Sequence, residues 1–378
     1  MDERLFWVAL NLVKGIGPAR FRLLLDHFGD PKCAWQAPPR ELRAAGLSEK
    51  VTENLIQVRS NEDIYAIWDR LAAENITLLT WLDDNYPRRL KEIDQPPPVL
   101  YVRGEVTPAD EWAVAVVGTR RITSYGRQVA EEVAVFLAGQ GVTVVSGLAR
   151  GVDSAAHRAA LNAGGRSIAV LGSGVDRIYP PENRKLAKAM INHGALISDY
   201  PLGTQPEGIN FPPRNRIISG LSLAVVIVEA GIKSGALITA EFAAEQGREV
   251  FAVPGAINAP QSMGANRLVQ QGAHPLLCPE DLVEALDLEM IMQHKKARQV
   301  LPGDATEAAL YSVLGQQPMH IDEISRKCDM PIEQVSAALV LMELKGLVRQ
   351  VGGMQYVAVR EVRTRYQADT KTVKEKNV

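Results

Sequence analysis

The sequence is short of the features that mark several protein classes. It has three cysteines, Cys33, Cys278 and Cys328, far apart and odd in number. That excludes a disulfide framework and a cysteine-rich metal site, and it suits a reducing compartment. The six histidines include no H-E-x-x-H pair, so zinc hydrolysis of that kind is not expected. No metal or other cofactor is assigned. No apolar run approaches the ~20 residues that cross a bilayer. The opening "MDERLFWVALNLVKGIG" lacks a basic leader, a long apolar run and a small-residue cleavage site. The expectation is a cytoplasmic protein with no membrane association. Net charge is only -2, so no global basic field advertises nucleic acid. A local basic groove on a near-neutral protein stays open.

What is present is an ordinary globular composition, 46% hydrophobic over 378 residues, long enough for two or three domains of ~100–200 residues. Three zones stand out. Residues 1–75 read as short helices, with helical apolar spacing in "LFWVALNLV" and "FRLLLDHF". Residues 80–288 alternate strand-like and helix-like runs. Residues 303–358 are again mostly helical and end in a strand-like pair. The polar, basic stretch "IMQHKKARQVLPGD" links the last two zones. A tail, 360–378, carries Arg360, Arg363, Arg365, Lys371, Lys374 and Lys376. It has little to bury and is expected to be disordered.

The middle zone predicts an α/β fold. "AVAVVGT" (113–119), "VTVVS", "SIAVLGS" (167–173), "ALIS", "LAVVIVE" (223–229) and "EVFAVPG" (249–255) read as strands. Helices are expected over "SYGRQVAEEVAVFLAGQG", from about Val152, from Asn183, and near 214–220 and 235–246. Such alternation gives a parallel sheet covered on both faces, with ligands at the C-terminal strand ends. Glycine and polar residues cluster there: "GTRRITSYG" (118–126), "SGLARGVDSAAH" (146–157), "GSGVDRIYPPEN" (172–183), "FPPRNRIISG" (211–220) and "EAGIKSGALITA" (229–240). Glycines let backbone approach a ligand, and helix starts aim free N–H groups at anions. Arg120, Arg121, Arg150, Arg214 and Arg216 add fixed charge suited to phosphate. A phosphate-containing ligand is the natural expectation.

Each loop also has a plainer explanation. Ser146, Asp153 and His157 look like a catalytic set, yet Ser146 sits in "VSG" rather than a G-x-S-x-G elbow. Asp153 is better read as a helix N-cap and His157 as a packed helix residue. Arg214 and Arg216 could join an ion-pair network with Glu229 as a buried partner. Tyr179 could be core, or a platform for a base. Neither the dinucleotide G-x-G-x-x-G nor the P-loop lysine is present.

The blocks "YPRRL", "VVGTRRITSYG", "VSGLARGVDSAAHRAAL", "GSGVDRIYPPEN", "FPPRNRIISGLS", "VVIVEAGIKSGALITAEFAAEQGREVFAVPG" and "GANRLVQQGA" follow one another as in the DprA/Smf family of DNA-processing proteins. The resemblance covers about Tyr86 to Leu286. It implies an extended Rossmann-like parallel core that binds single-stranded DNA without strong sequence preference. It further implies loading of the RecA recombinase, a role in natural transformation, a homodimer, and no enzymatic activity. By resemblance the strand would be held by Arg120, Arg121, Ser146, Arg150, Asn183, Arg184, Arg214 and Asn215, with loop amides near Gly147 and Gly172. Tyr179 or Phe211 would supply stacking. The alternative is a nucleotide-hydrolysing enzyme of the phosphoribohydrolase type with Glu229 as acid or base, although the "PGGxGT" of that group is missing.

The flanks fit the same resemblance. "LVKGIGPARFRLLLDHFG" (12–29) resembles a helix-hairpin-helix of a SAM-like domain, with a degenerate second copy at "LRAAGLSEKVTENLIQV". Residues 320–357 follow a winged-helix pattern. Its second helix holds Glu333, Glu343 and a single Lys345, which suits a protein-contact or duplex-modulating module better than a sequence reader. One departure concerns Glu182, where many family members carry a basic residue after Tyr-Pro. The segment "QSMGANRLVQQGAHPLLCPEDLVEAL" is the expected dimer interface.

Overall fold

The computed structural model describes residues 3–286, 305–314, 318–344, 348–351 and 353–358. The linker after Leu286, Lys345 and the 360–378 tail lie outside the described residues.

Six helices come first: α1 (Arg4–Asn11), α2 (Pro18–Phe28), α3 (Pro31–Gln36), α4 (Pro39–Ala44), α5 (Glu49–Asn61) and α6 (Ile64–Ala73). Every residue from Leu5 to Leu10 is buried, because α1 is apolar nearly all round and has no face to give to water. Gly15 (φ +100°) and Gly46 (φ +101°) make the turns before α2 and α5, a conformation that a side chain would strain. A Cβ on Gly15 would lie 3.0 Å from a methyl of Val51 on α5, and one on Gly46 would lie 3.1 Å from Leu23 on α2. Each glycine turn therefore packs on the second helix of the other hairpin.

A nine-stranded sheet follows, from β1 (Ile76–Thr80), β2 (Val99–Gly104), β3 (Ala113–Val117), β4 (Thr143–Ser146), β5 (Ser167–Val170), β6 (Gly194–Ser198), β7 (Ala224–Ile227), β8 (Glu249–Ala252) and β9 (His274–Pro275). The spatial order is β1-β2-β6-β5-β4-β3-β7-β8-β9. Strands β3 to β9 pair in parallel, whereas β2 runs antiparallel to β6 and β1 antiparallel to β2. All five residues of β3 are buried, as expected for a strand covered on both faces. The strands read from the sequence are present, five of them shorter than expected and β6 one residue longer than "ALIS". Strands β1, β2 and β9 are additional. β2 follows three prolines and β9 is two residues long, so neither carries a periodic signal.

The covering helices are α7 (Arg88–Lys91), α8 (Ser124–Gly139), α9 (Val152–Asn162), α10 (Arg184–Asn192), α11 (Phe211–Gly220), α12 (Gly235–Glu245), α13 (Met263–Gln270) and α14 (Asp281–Ala285). One apolar core joins Trp7, Phe21, Leu24 and Leu55 of the early helices to Leu78, Tyr101, Ala169 and Leu196 of the sheet. A second core packs Leu90, Ile217, Ile218 and Ala240 against Val117, Val145, Ile168 and Val225. The early helices thus share their core with the sheet, and everything up to Leu286 forms one compact unit.

The second unit is a winged helix: α15 (Ala305–Val313), β10 (Met319–His320), α16 (Ile321–Cys328), α17 (Ile332–Leu344), β11 (Val348–Gln350) and β12 (Gln355–Ala358). Its sheet order is β10-β12-β11. Leu310, Ile324, Leu339, Met342 and Tyr356 form its core. Among the described residues no helix is long and apolar enough to cross a membrane.

Candidate nucleic-acid interface

In a doubly wound sheet the ligand crevice is expected where the chain reverses its winding. Here that point lies between β3 and β7, since β4 to β6 extend one way and β8 and β9 the other. The crevice is filled by the protein itself. Glu229, 3% exposed, follows β7. Its carboxylate accepts from the Thr123 amide at 3.0 Å and from the Thr123 hydroxyl. A Cβ on Gly126 would lie 2.3 Å from Glu229 Oε2, so only glycine fits above it. Thr123 also caps α8 by accepting from the Gly126 amide. Glu229 therefore pairs with neither Arg214 nor Arg216, contrary to that expectation. Arg216 pairs instead with Asp199 at 3.1 Å.

The open cleft sits to one side, over the ends of β4 and β5. Arg120, Gly147, Ala149, Arg150, Tyr179, Pro180, Phe211 and Arg214 line it. The Arg120 guanidinium lies 5.4 Å from the Phe211 ring centre, within cation–π range. Tyr179 and Phe211 lie 5.9 Å apart with planes tilted by 35°. Tyr179 is 36% exposed. Arg121 is exposed beside Arg120. Three sequence-distant loops and the first turn of α11 thus bring cations and aromatic rings to one place.

Arg214 forms the floor. It is 4% exposed, and Nη1 donates to the Val170 carbonyl. Burial pushes its pKa down to about 10, which leaves it protonated at neutral pH. Its opposite charge is Asp153, whose pKa burial raises and Arg214 lowers. The Asp153 carboxylate accepts from the amides of Gly147 at 3.1 Å and Ala149 at 3.3 Å. A Cβ on Gly147 would lie 2.3 Å from Arg214 Nη1, and one on Gly172 would lie 2.8 Å from the Phe211 ring. These two glycines make room for Arg214 and Phe211, and the Gly147 amide is taken by Asp153.

Several predicted contacts face inward. Ser146 is 0% exposed and donates to the Val116 carbonyl at 2.7 Å. Asn183 donates to the Leu148 carbonyl at 2.8 Å, and Asn215 to the Gly235 carbonyl at 3.2 Å. All three tie neighbouring elements together, because a buried polar group needs a protein partner. Asp153 is not an N-cap. Gly151 occupies that position, with φ +79°, and Asp153 lies in the first turn of α9. His157 is packed as expected, fully buried, with Nδ1 2.7 Å from Ser167 Oγ.

Arg150 is paired with Glu182, and both side chains are at least half exposed. The hydrogen bond from Arg150 lowers the Glu182 pKa. The basic charge on this wall is thus neutralised by the acidic residue after Tyr-Pro. Arg184 is exposed in a neighbouring cavity of about 480 Å³, together with Asp176, Arg177, Ile178, Tyr179, Pro181, Gln205 and Pro206. Nothing in the sequence singles out Arg177 and Gln205. The available signal is position: both lie in loops that follow parallel strands, on the same edge as the cleft.

Residues 77–287, more than half of the chain, match the family model described as DNA recombination-mediator protein A. The chain belongs to the DprA/Smf family. Residues 294–354 match the DprA winged helix domain. Protein Smf of Synechocystis is 36% identical over 94% of this chain and 98% of its own length. DNA processing protein DprA of Bacillus subtilis is 40% identical over 67% of this chain and 88% of its own. The solved Streptococcus pneumoniae DprA covers 75% of this chain at a TM-score of 0.65 and 32% identity, spanning 98% of its own length. The Helicobacter pylori DNA processing protein A, solved for its single-stranded DNA binding mode, covers 56% of this chain at a TM-score of 0.51 and 31% identity, with 95% of its own chain spanned.

The buried histidine gives a test of this DprA-type core. Burial, reinforced by Arg214, pushes the His157 pKa down to about 3 from 6.5. The unfolded chain then binds a proton that the folded chain refuses. Stability from this group is full above pH 6.5 and declines as pH falls towards 3, by up to about 1.4 kcal/mol per pH unit. In urea unfolding at pH 7.5, 6 and 5, His157→Asn is expected to flatten that decline. An unchanged pH dependence would count against this assignment.

Proposed function

We propose that the chain binds single-stranded DNA along the strand-end edge of its sheet and loads the RecA recombinase onto it, in DNA processing and natural transformation. The observation that carries this is the convergence of Arg120 and the Glu182-paired Arg150 with the exposed ring of Tyr179 and the half-buried ring of Phe211 in one cleft. Cations that follow a backbone, beside rings on which unpaired bases stack, are the physical requirements of a single-strand site. The single-strand binding mode for which the Helicobacter relative was solved supports the same reading. Ser146, Asn183 and Asn215, the polar side chains able to read base edges, are turned into the protein. That favours binding without strong sequence preference.

The winged helix is proposed as a protein-contact or duplex-modulating module. Its α17 carries Glu333 and Glu343, and Glu343 accepts from the Gln350 amide at 2.8 Å. An acidic helix is a poor face for a phosphate backbone. A homodimer is proposed through 261–286, where Met263 (42%) and Leu277 (78%) are exposed beside the edge strand β9.

Replacing Arg120 and Arg121 together by Ala is expected to weaken binding of labelled oligo-dT about tenfold in fluorescence anisotropy. The salt slope should fall by about 1.4, at ~0.7 per lost phosphate contact. RecA's DNA-dependent ATP hydrolysis on the strand should fall in step. Unchanged affinity would remove this placement, and unchanged ATP hydrolysis the loading role. Glu182→Gln frees Arg150 and should raise affinity about two- to fivefold; a fall would show that Glu182 supports binding. Light scattering over a range of concentrations should report a dimer, which Leu277→Glu is expected to split. A monomer throughout would rule the interface out.

A further inference from the structure

We propose that the DNA strand continues past Tyr179 into a second, nucleotide-sized compartment, so that this ring divides two binding positions. The proposal rests on the single-strand reading of the cleft and extends it to residues outside that cleft. Tyr179 lines both recesses. The second has a volume of about 480 Å³, within the ~300–1,000 Å³ of small-molecule sites. Its walls are Ile178, Pro181, Pro206 and the Tyr179 ring; its rim carries Arg177, Arg184 and Gln205.

The charge balance favours an anion. Asp176 is the only carboxylate in the lining, and its side chain is 6% exposed. It accepts from Arg70 Nη2 at 2.9 Å and from the Gly203 amide at 2.9 Å. Its charge is thus held from beneath by α6 and the loop after β6. Arg177 touches it only at 3.5 Å and keeps its side chain half exposed. Arg184 has no ion pair among the described residues. Two exposed guanidinium groups around an apolar, aromatic-walled recess suit a phosphate joined to a planar base. The first cleft differs, because there Arg150 is already tied to Glu182.

The rings themselves argue for two positions rather than one sandwich. Tyr179 and Phe211 are 5.9 Å apart, too close for a base stacked between them at ~3.5 Å from each face. A base therefore lies outside the pair rather than between the rings, and Tyr179 borders a recess that Phe211 does not reach.

The test uses the full chain and 5′-labelled oligo-dT of three to fifteen nucleotides in anisotropy titrations. Arg177→Ala with Gln205→Ala should leave the shortest strand unaffected and weaken the longer ones about tenfold. The salt slope on long strands should drop by about 0.7. Gln205→Trp, which fills the recess without removing charge, should give the same loss of length dependence. Strands carrying 4-thiothymidine should crosslink to the 177–184 and 201–206 segments. If Arg120→Ala with Arg121→Ala weakens every length while these variants match the parent, the second compartment is wrong and the cleft stands. If neither set changes affinity, both are wrong.

Discussion

A buried guanidinium sets the geometry of the strand-end edge. Arg214 lies under the cleft with Nη1 on the Val170 carbonyl and Asp153 as its counter-charge. Neither member can be removed alone without leaving an uncompensated charge in the interior. Asp153 in turn holds the amides of Gly147 and Ala149, so the loop after β4 is shaped by that charge. Phe211 stands 5.9 Å from the same guanidinium and is seated against Gly172. Three of the loops that build the cleft are thus referred to one cation. Its charge survives burial at neutral pH because an arginine starts so far above it.

The same economy of space explains where a ligand is not held. The crevice between β3 and β7 is the default site of a doubly wound sheet, and here Glu229, Thr123 and Gly126 occupy it. That carboxylate is 3% exposed and accepts two hydrogen bonds from Thr123. The recesses lie beside that position, one lined by Arg120, Tyr179 and Phe211 and the next by Arg177, Arg184 and Gln205.

Much of this was legible in the sequence, and the failures have a common cause. Apolar runs such as "AVAVV" locate the core strands because a parallel sheet buries both faces. Ordered blocks of glycine and arginine mark the loops that follow the parallel strands. The direction of each polar side chain is not encoded in the same way. Ser146, which ends β4, and Arg150, four residues on in the following loop, look equally available, yet one is 0% exposed and the other is over half exposed. Asn183 and Arg184 are adjacent and point to opposite fates. Gly147 and Gly172 correctly signal close approach, but what approaches is a side chain of the protein itself. Tertiary packing decides these cases, and it involves residues from 30 to 67 positions away.

The pairing of Arg150 with Glu182 has a further consequence on the proposed reading. The wall of the cleft comes with a resident competitor, tethered at high effective concentration. A free mononucleotide would have to displace that carboxylate with a single phosphate and would gain little. A strand already anchored at Arg120 and Phe211 makes the exchange as an intramolecular step. The surface would then discriminate by valence, ignoring the abundant nucleotides of a cell while accepting the same chemical unit when it is repeated along a chain.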